Sequence, residues 1–225
     1  MSRHLQKAIE NLMKRLVAMS ARVEDNVEKA LKALEQRDEK MARKVIEIDE
    51  EIDIEEIEIE EECLKILALY QPVAIDLRYI IAALKINNDL ERIGDLAMAM
   101  AKHVIRILGE PVLPHRFDLE ILFQKVSSML KKSLDSIVNL NPELAVEVLK
   151  ADDEVDRLNK DFEKLVLKKI KDDPEGIFAL VQYIYISRRL ERVADHATNI
   201  AEDVIYMVTG QIHRHRGGDF VHHRT

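Results

Sequence analysis

Four pairs of carboxylates in this sequence are spaced by four residues: Asp49 with Asp53, Glu91 with Asp95, Asp152 with Asp156, and Glu191 with Asp195. On a helix that spacing puts both side chains of a pair on one face, where like charges destabilise by roughly 0.2–0.5 kcal/mol unless something cationic intervenes. Carboxylate oxygens are hard ligands of the kind that magnesium, manganese, calcium or iron accept. Glu191, Asp195, Asn199 and Glu202 continue along one face, whereas the positions that correspond to the last two after Glu91 and Asp95 are Ala99 and Lys102. A cation is therefore expected to bind better on the Glu191 side. The same pairs also read as solvated faces, with Arg78, Arg92, Arg188, Arg189 and Arg192 close enough in sequence to neutralise them. Spacing leaves both readings open.

Other chemistry finds little support. No Glu-x-x-His occurs, so the carboxylate-histidine signature of di-iron bundles is missing, and there is no HExxH, P-loop, GxGxxG or EF-hand loop. His196 adjoins Asp195 and reads as a packing or surface histidine, with ligation as the alternative; His103 reads as surface. The net charge of −8 lacks the basic footprint of a nucleic-acid partner. One cysteine, Cys63, cannot form an intrachain disulfide or a thiolate zinc cage, which suits a cytoplasmic protein. No apolar run reaches the length of a membrane span, so contact with a membrane is peripheral at most.

The elements that must position these acids are helices. Six glycines and five prolines in 225 residues are too few for turn-rich sandwiches or glycine-loop folds, while 47% apolar and 34% charged residues suit long amphipathic helices. Leu5, Ile9, Leu12, Leu16, Met19, Val23, Val27, Ala30 and Leu34 recur in steps of three and four on the first helix. A second is capped by Asp38, takes Val45, Ile48, Ile52, Ile59 and Ile66 inward, and ends before Pro72. The third spans about Val73 to Leu108 and stops at Gly109. A fourth covers about Phe117 to Val138, Asn141-Pro142 opens the fifth, and Asp173-Pro174 opens the sixth, which closes near Gly210. Glu51 to Glu60 alternates isoleucine with acid and could be a half-exposed strand, but the helical spacing on both sides and the lack of a partner strand favour a helix. The run from Glu47 to Glu62 holds 11 acids and no base, a solvated face or a loose attraction for cations or a basic partner.

The chain repeats itself. Asp49-Glu50-Glu51-Ile52-Asp53 corresponds to Asp152-Asp153-Glu154-Val155-Asp156 at an offset of 103, and Leu90-Glu91-Arg92-Ile93-Gly94-Asp95 to Leu190-Glu191-Arg192-Val193-Ala194-Asp195 at an offset of 100. The reading is an all-α protein of two tandem antiparallel three-helix bundles: residues 1–109, a linker at 110–116, residues 117–210, and a His- and Arg-containing tail at 211–225. Leftover apolar surface leaves homodimerisation open.

The tandem LERIGD and LERVADHATNIAEDV segments, the DEEID and DDEVD segments ahead of them, and the run Gln71-Pro72-Val73-Ala74-Ile75-Asp76-Leu77-Arg78 resemble the PhoU family of phosphate-signalling regulators. The resemblance implies two three-helix bundles related by a pseudo-twofold, and acidic motifs that hold metal ions, multinuclear iron or alternatively Mg, Mn, Ca or Zn. Carried onto this chain, those motifs fall on Asp49, Asp53, Glu91 and Asp95, and on Asp152, Asp156, Glu191, Asp195 and Asn199. It further implies a cytoplasmic, non-enzymatic negative regulator that links the ATPase subunit of a phosphate ABC transporter to a sensor histidine kinase. The competing expectation from the carboxylates is an iron-storing or oxidase-like bundle.

Overall fold

Local causes set most of the helix boundaries. The structure, a computed structural model, describes residues 3–113, 119–172 and 174–211. Its helices are α1 (Arg3–Gln36), α2 (Glu39–Tyr70), α3 (Ala74–Leu108), α4 (Glu120–Asn139), α5 (Pro142–Asp172) and α6 (Ile177–Thr209), with a short 3-10 turn at Pro174–Gly176. No strand occurs among the described residues. The Asp38 carboxylate accepts from the Met41 amide at 3.0 Å, and the Asn141 side chain accepts from the Glu143 and Leu144 amides at 3.0 and 3.2 Å. Both satisfy amide groups that the first helical turn leaves without partners. Gln71, left-handed at φ 46°, ends α2 next to Pro72, and Gly210 at φ 74° ends α6 with its amide on the Tyr206 carbonyl.

Two helix starts differ from expectation. The sixth helix begins at Ile177 rather than at Pro174, because the chain first makes a tighter 3-10 turn, a common prelude to a helix. The fourth begins at Glu120, and Phe117, its expected start, lies outside the described residues, as do Asp173 and most of the tail. The third helix ends at Leu108 with Gly109 as its cap, as expected, the backbone there staying right-handed at φ −73°.

The stripes pack inward as their spacing requires. Leu12, Leu16, Met19, Val23 and Val27 of α1, Ile86, Leu90, Ile93, Ala97 and Met100 of α3, and Ile186, Leu190, Val193, Ala197 and Ile200 of α6 are all buried. Helices α1–α3 form one antiparallel bundle and α4–α6 the other. The α3–α6 contact is the most extensive in the molecule, α1 touches α4 beside it, and the buried side chains form one continuous core. The acid-isoleucine alternation in α2 is helical. Ile52 and Ile59 point inward while Ile54 and Ile57 face solvent, so one helix carries two apolar faces. The inward row of α2 is Ala42, Val45, Asp49, Ile52, Ile59, Cys63 and Ile66. Asp49, not Ile48, fills the core position, and Ile48 is only half-buried.

The seam between α3 and α6 is polar at both ends. At one end Lys85 Nζ lies 3.0 Å from Asp203 Oδ1 and 5.2 Å from the centre of the Tyr206 ring. At the other, His103 stacks on Tyr185 with ring centres 5.0 Å apart, and its Nδ1 donates to Gln182 Oε1 at 2.7 Å. His103 is therefore buried, correcting its reading as a surface residue: the α3 face that carries it is covered by α6. An offset of 100 residues maps the Lys85–Asp203 pair onto the Tyr185–His103 pair.

Candidate functional site

Each bundle brings two of the acidic pairs together across a helix–helix groove. In the first, α2 supplies Asp49 and Asp53 and α3 supplies Glu91 and Asp95. Asp49 is 6% exposed. Burial, followed by the neighbouring charges of Asp53, Asp95 and Glu91, pushes its carboxyl up to about 6, with Lys102 pulling the other way. Gly94 makes the approach between helices close enough for this: a methyl group on it would sit 3.3 Å from Asp49 Oδ1 and from the Ile52 side chain. Burial also raises Glu91. Asp49 Oδ1 and Glu91 Oε2 are buried without a hydrogen-bond donor, an arrangement that costs free energy in a metal-free protein. Arg92 attends this face from the solvent side, 3.4 Å from both Glu91 and Asp95.

The second bundle repeats the arrangement with Asp152 and Asp156 from α5 and Glu191 and Asp195 from α6. Burial raises Asp152, Glu191 and Asp195, reinforced by Asp195 beside Asp152 and by Asp156 beside both Glu191 and Asp195. Lys160 pairs with Asp156 at 3.0 Å. Arg188 is occupied with Glu163 at 2.5 Å rather than with the four acids. His196 and Arg192 hold Asp195 down in part.

The structure thus groups Asp49, Asp53, Glu91 and Asp95 on one face and Asp152, Asp156, Glu191 and Asp195 on the other. Asn199 points elsewhere: its Nδ2 donates to Asp89 Oδ1 of α3 at 3.2 Å, and His196 Nδ1 donates to the same oxygen at 2.7 Å. Sequence reasoning missed Asp89, since a contact across 107 residues between diverged repeats leaves no periodic signal. Asp89 and Asn199 border an open groove of about 700 Å³ between the bundles, which Glu56, Glu60, Lys85 and Glu202 also line.

In donor chemistry the faces suit a hard cation. Each offers only carboxylate oxygens, repelling one another and partly buried, and the first has two oxygens lacking donors. Among the described residues, however, no three Asp, Glu, His or Cys side chains converge into a ready-made cage. Lys102 brings a built-in positive charge to Asp49, which weakens the first face for that purpose.

Paired three-helix bundles in one chain, with a four-carboxylate face repeated on each, define a class of duplicated, acid-faced helical proteins. The PhoU domain model matches residues 16–104 and 119–204, which together are well over half of the chain. A phosphate-specific transport system accessory protein PhoU homolog from Clostridium acetobutylicum is 39% identical over 206 residues, covering 90% of this chain and 93% of that one. The crystal structure of PhoU from Pseudomonas aeruginosa superposes with a TM-score of 0.88 at 38% identity, covering 92% of this chain and 99% of that one. That of the phosphate transport system regulatory protein PhoU from Streptococcus pneumoniae gives 0.86 at 29% identity, covering 92% and 98%. The chain belongs to the PhoU family. Among the described residues no helix is long and apolar enough to cross a membrane.

Proposed function

We propose that this protein is a non-enzymatic accessory regulator of a phosphate transport system, restraining uptake and the starvation response when phosphate is plentiful. It acts in the cytoplasm as an adaptor between the ATPase subunit of the phosphate ABC transporter and a sensor histidine kinase. The observation that carries this reading is kinship along the whole length: relatives named as phosphate-specific transport system accessory proteins align with 90% or more of the chain. The charged residues are arranged consistently with such a role, since the acids sit partly buried between neighbouring helices, two from each, and repel one another there. Asp49, Asp53, Glu91 and Asp95, and Asp152, Asp156, Glu191 and Asp195, would hold hard cations such as iron, manganese or magnesium. A bound cation would supply the positive charge that relieves the repulsion and would tie each pair of helices together.

Co-purification from phosphate-replete cells tests the adaptor reading. Recovery of the transporter ATPase and the kinase is the expected result; a preparation free of both overturns it. The iron-storage or oxidase alternative has less support, because His196, the histidine next to Asp195, is engaged by Asp89 of α3 at 2.7 Å.

A further inference from the structure

The outward face of α2 is apolar where a solvated helix should be charged. Ile54, Ile57, Glu61 and Leu64 follow one another at steps of three, four and three, forming one stripe. The three apolar members are 59%, 55% and 53% exposed. The duplicated half supplies an internal control. At an offset of 103 the same positions of α5 are Arg157, Lys160, Lys164 and Leu167, the composition expected of a face that meets only water. The first bundle has therefore kept an apolar stripe at positions where its copy is largely charged.

The flanks of the stripe are acidic on both sides, from the run of 11 acids without a base between Glu47 and Glu62. Beside Ile54 lies a hollow of about 310 Å³ lined by Arg22, Glu51, Ile54, Glu55 and Glu58. Within it one guanidinium is shared: Arg22 donates to Glu51 at 3.3 Å and lies 3.4 Å from Glu55 Oε2, which is buried and receives no hydrogen bond. Arg15 pairs with Glu58 on the rim. Two arginines thus serve three glutamates next to a strip of apolar side chains, leaving a net negative charge and one Glu55 oxygen without a hydrogen bond.

We infer that the outer face of α2 is the docking site for a basic amphipathic helix of another protein, its apolar side laid along Ile54, Ile57 and Leu64 and a lysine or arginine directed into the Glu51–Glu55 hollow. Helix-in-groove recognition uses this pattern of anchors at helical spacing. The charge complementarity argues against an anionic lipid surface, which the acids repel. It also argues against a second copy of the chain, which carries a net charge of −8 and whose Lys160 and Lys164 on α5 are already paired with Asp156 and Asp161. This deepens the adaptor reading by giving the chemistry of one partner, and a peptide assay on the purified chain can succeed or fail whatever co-purifies from cells.

The test uses the full chain, a fluorescent leucine-lysine peptide designed as an amphipathic helix of about four turns, and a scrambled peptide of the same composition. At about 150 mM salt, where charges beyond roughly 8 Å are screened, anisotropy should show the amphipathic peptide binding at least about tenfold tighter than the scrambled one. Ile54→Gln, Ile57→Gln and Leu64→Gln together keep the charge and remove the stripe, and should weaken binding at least about tenfold with the thermal melt unchanged. Glu61→Lys, one exposed charge reversal, should weaken it independently. Leu165→Gln with Leu167→Gln on α5 should leave it unaltered. Equal binding of the scrambled peptide, or undiminished binding by the triple variant, would reduce the face to charge attraction and overturn the inference. So would a wild-type dimer in sedimentation that the triple variant splits, which makes a second copy the occupant, or binding to phosphatidylglycerol vesicles lost in the same variant.

Discussion

Replacing Asp49 with asparagine should stabilise the metal-free protein, and the structure sets both the size and the pH window. Asparagine has nearly the same shape, so the narrow space against Gly94 and Ile52 is kept while the charge is removed. The wild-type carboxyl sits in a core row of α2 with Asp53, Asp95 and Glu91 as neighbours, and its pKa is pushed up to about 6 from an ordinary 3.8. A carboxyl whose folded pKa is raised holds its proton more tightly in the folded chain. Its contribution is fully favourable below pH 4 and is lost as the pH rises through 6. The gap between 3.8 and about 6 corresponds to about 3 kcal/mol, at roughly 1.4 kcal/mol for each pH unit. In chelator at pH 7.5, Asp49→Asn should therefore exceed wild type by about 2–3 kcal/mol in urea unfolding, or roughly 5–10 °C in melting temperature. At pH 3.5 the two should coincide. A saturating divalent cation should reverse the order by stabilising wild type alone. If the variant is less stable than wild type at pH 7.5 in chelator, the burial and crowding ascribed to Asp49 are wrong.

Elemental analysis of untagged protein should find bound metal in wild type and at most half as much after Glu191→Ala with Asp195→Ala; no metal in either sample would leave the acids as solvated faces. The opposite pH sign applies to His103, whose pKa is lowered chiefly by burial: wild type should lose stability as the pH falls below about 6.5, and His103→Gln should remove that loss, seen as a flatter melting profile. Gly210→Ala should cost about 1–2 kcal/mol in chemical unfolding, because φ of 74° is strained for any residue with a Cβ and the added methyl would meet the Arg78 guanidinium at 3.3 Å. Leu90→Ala, at a fully buried position of α3, should cost about 2–5 kcal/mol; a change under about 1 kcal/mol would mean that α3 is misoriented.

Helix phase was legible wherever the inward row is wholly apolar. The α1, α3 and α6 stripes could be read directly, since burying such a row dominates the energetics of an amphipathic helix. On α2 the row contains Asp49, and hydrophobicity assigns its place to the adjacent Ile48. A polar residue held in a core row by its neighbours is invisible to a pattern that counts apolar side chains. The grouping of each four-acid face could be anticipated from the repeat. The attachment of Asn199 and His196 to Asp89 could not, because it depends on how the two bundles are set against each other. His103 was misread for the same reason: one helix cannot reveal that another will cover its flank.

The unequal ends of the α3–α6 seam show what covalent fusion permits. Two identical subunits meeting about a true dyad must present the same side chain at both related positions, so a lysine facing an aspartate at one end would recur unchanged at the other. Joined in a single polypeptide, positions 85 and 185 answer to separate codons, and one end has become an ion pair while the other is an aromatic stack. Raising ionic strength should loosen the first clasp and spare the second, giving a nominally symmetric body one stiff end and one compliant end.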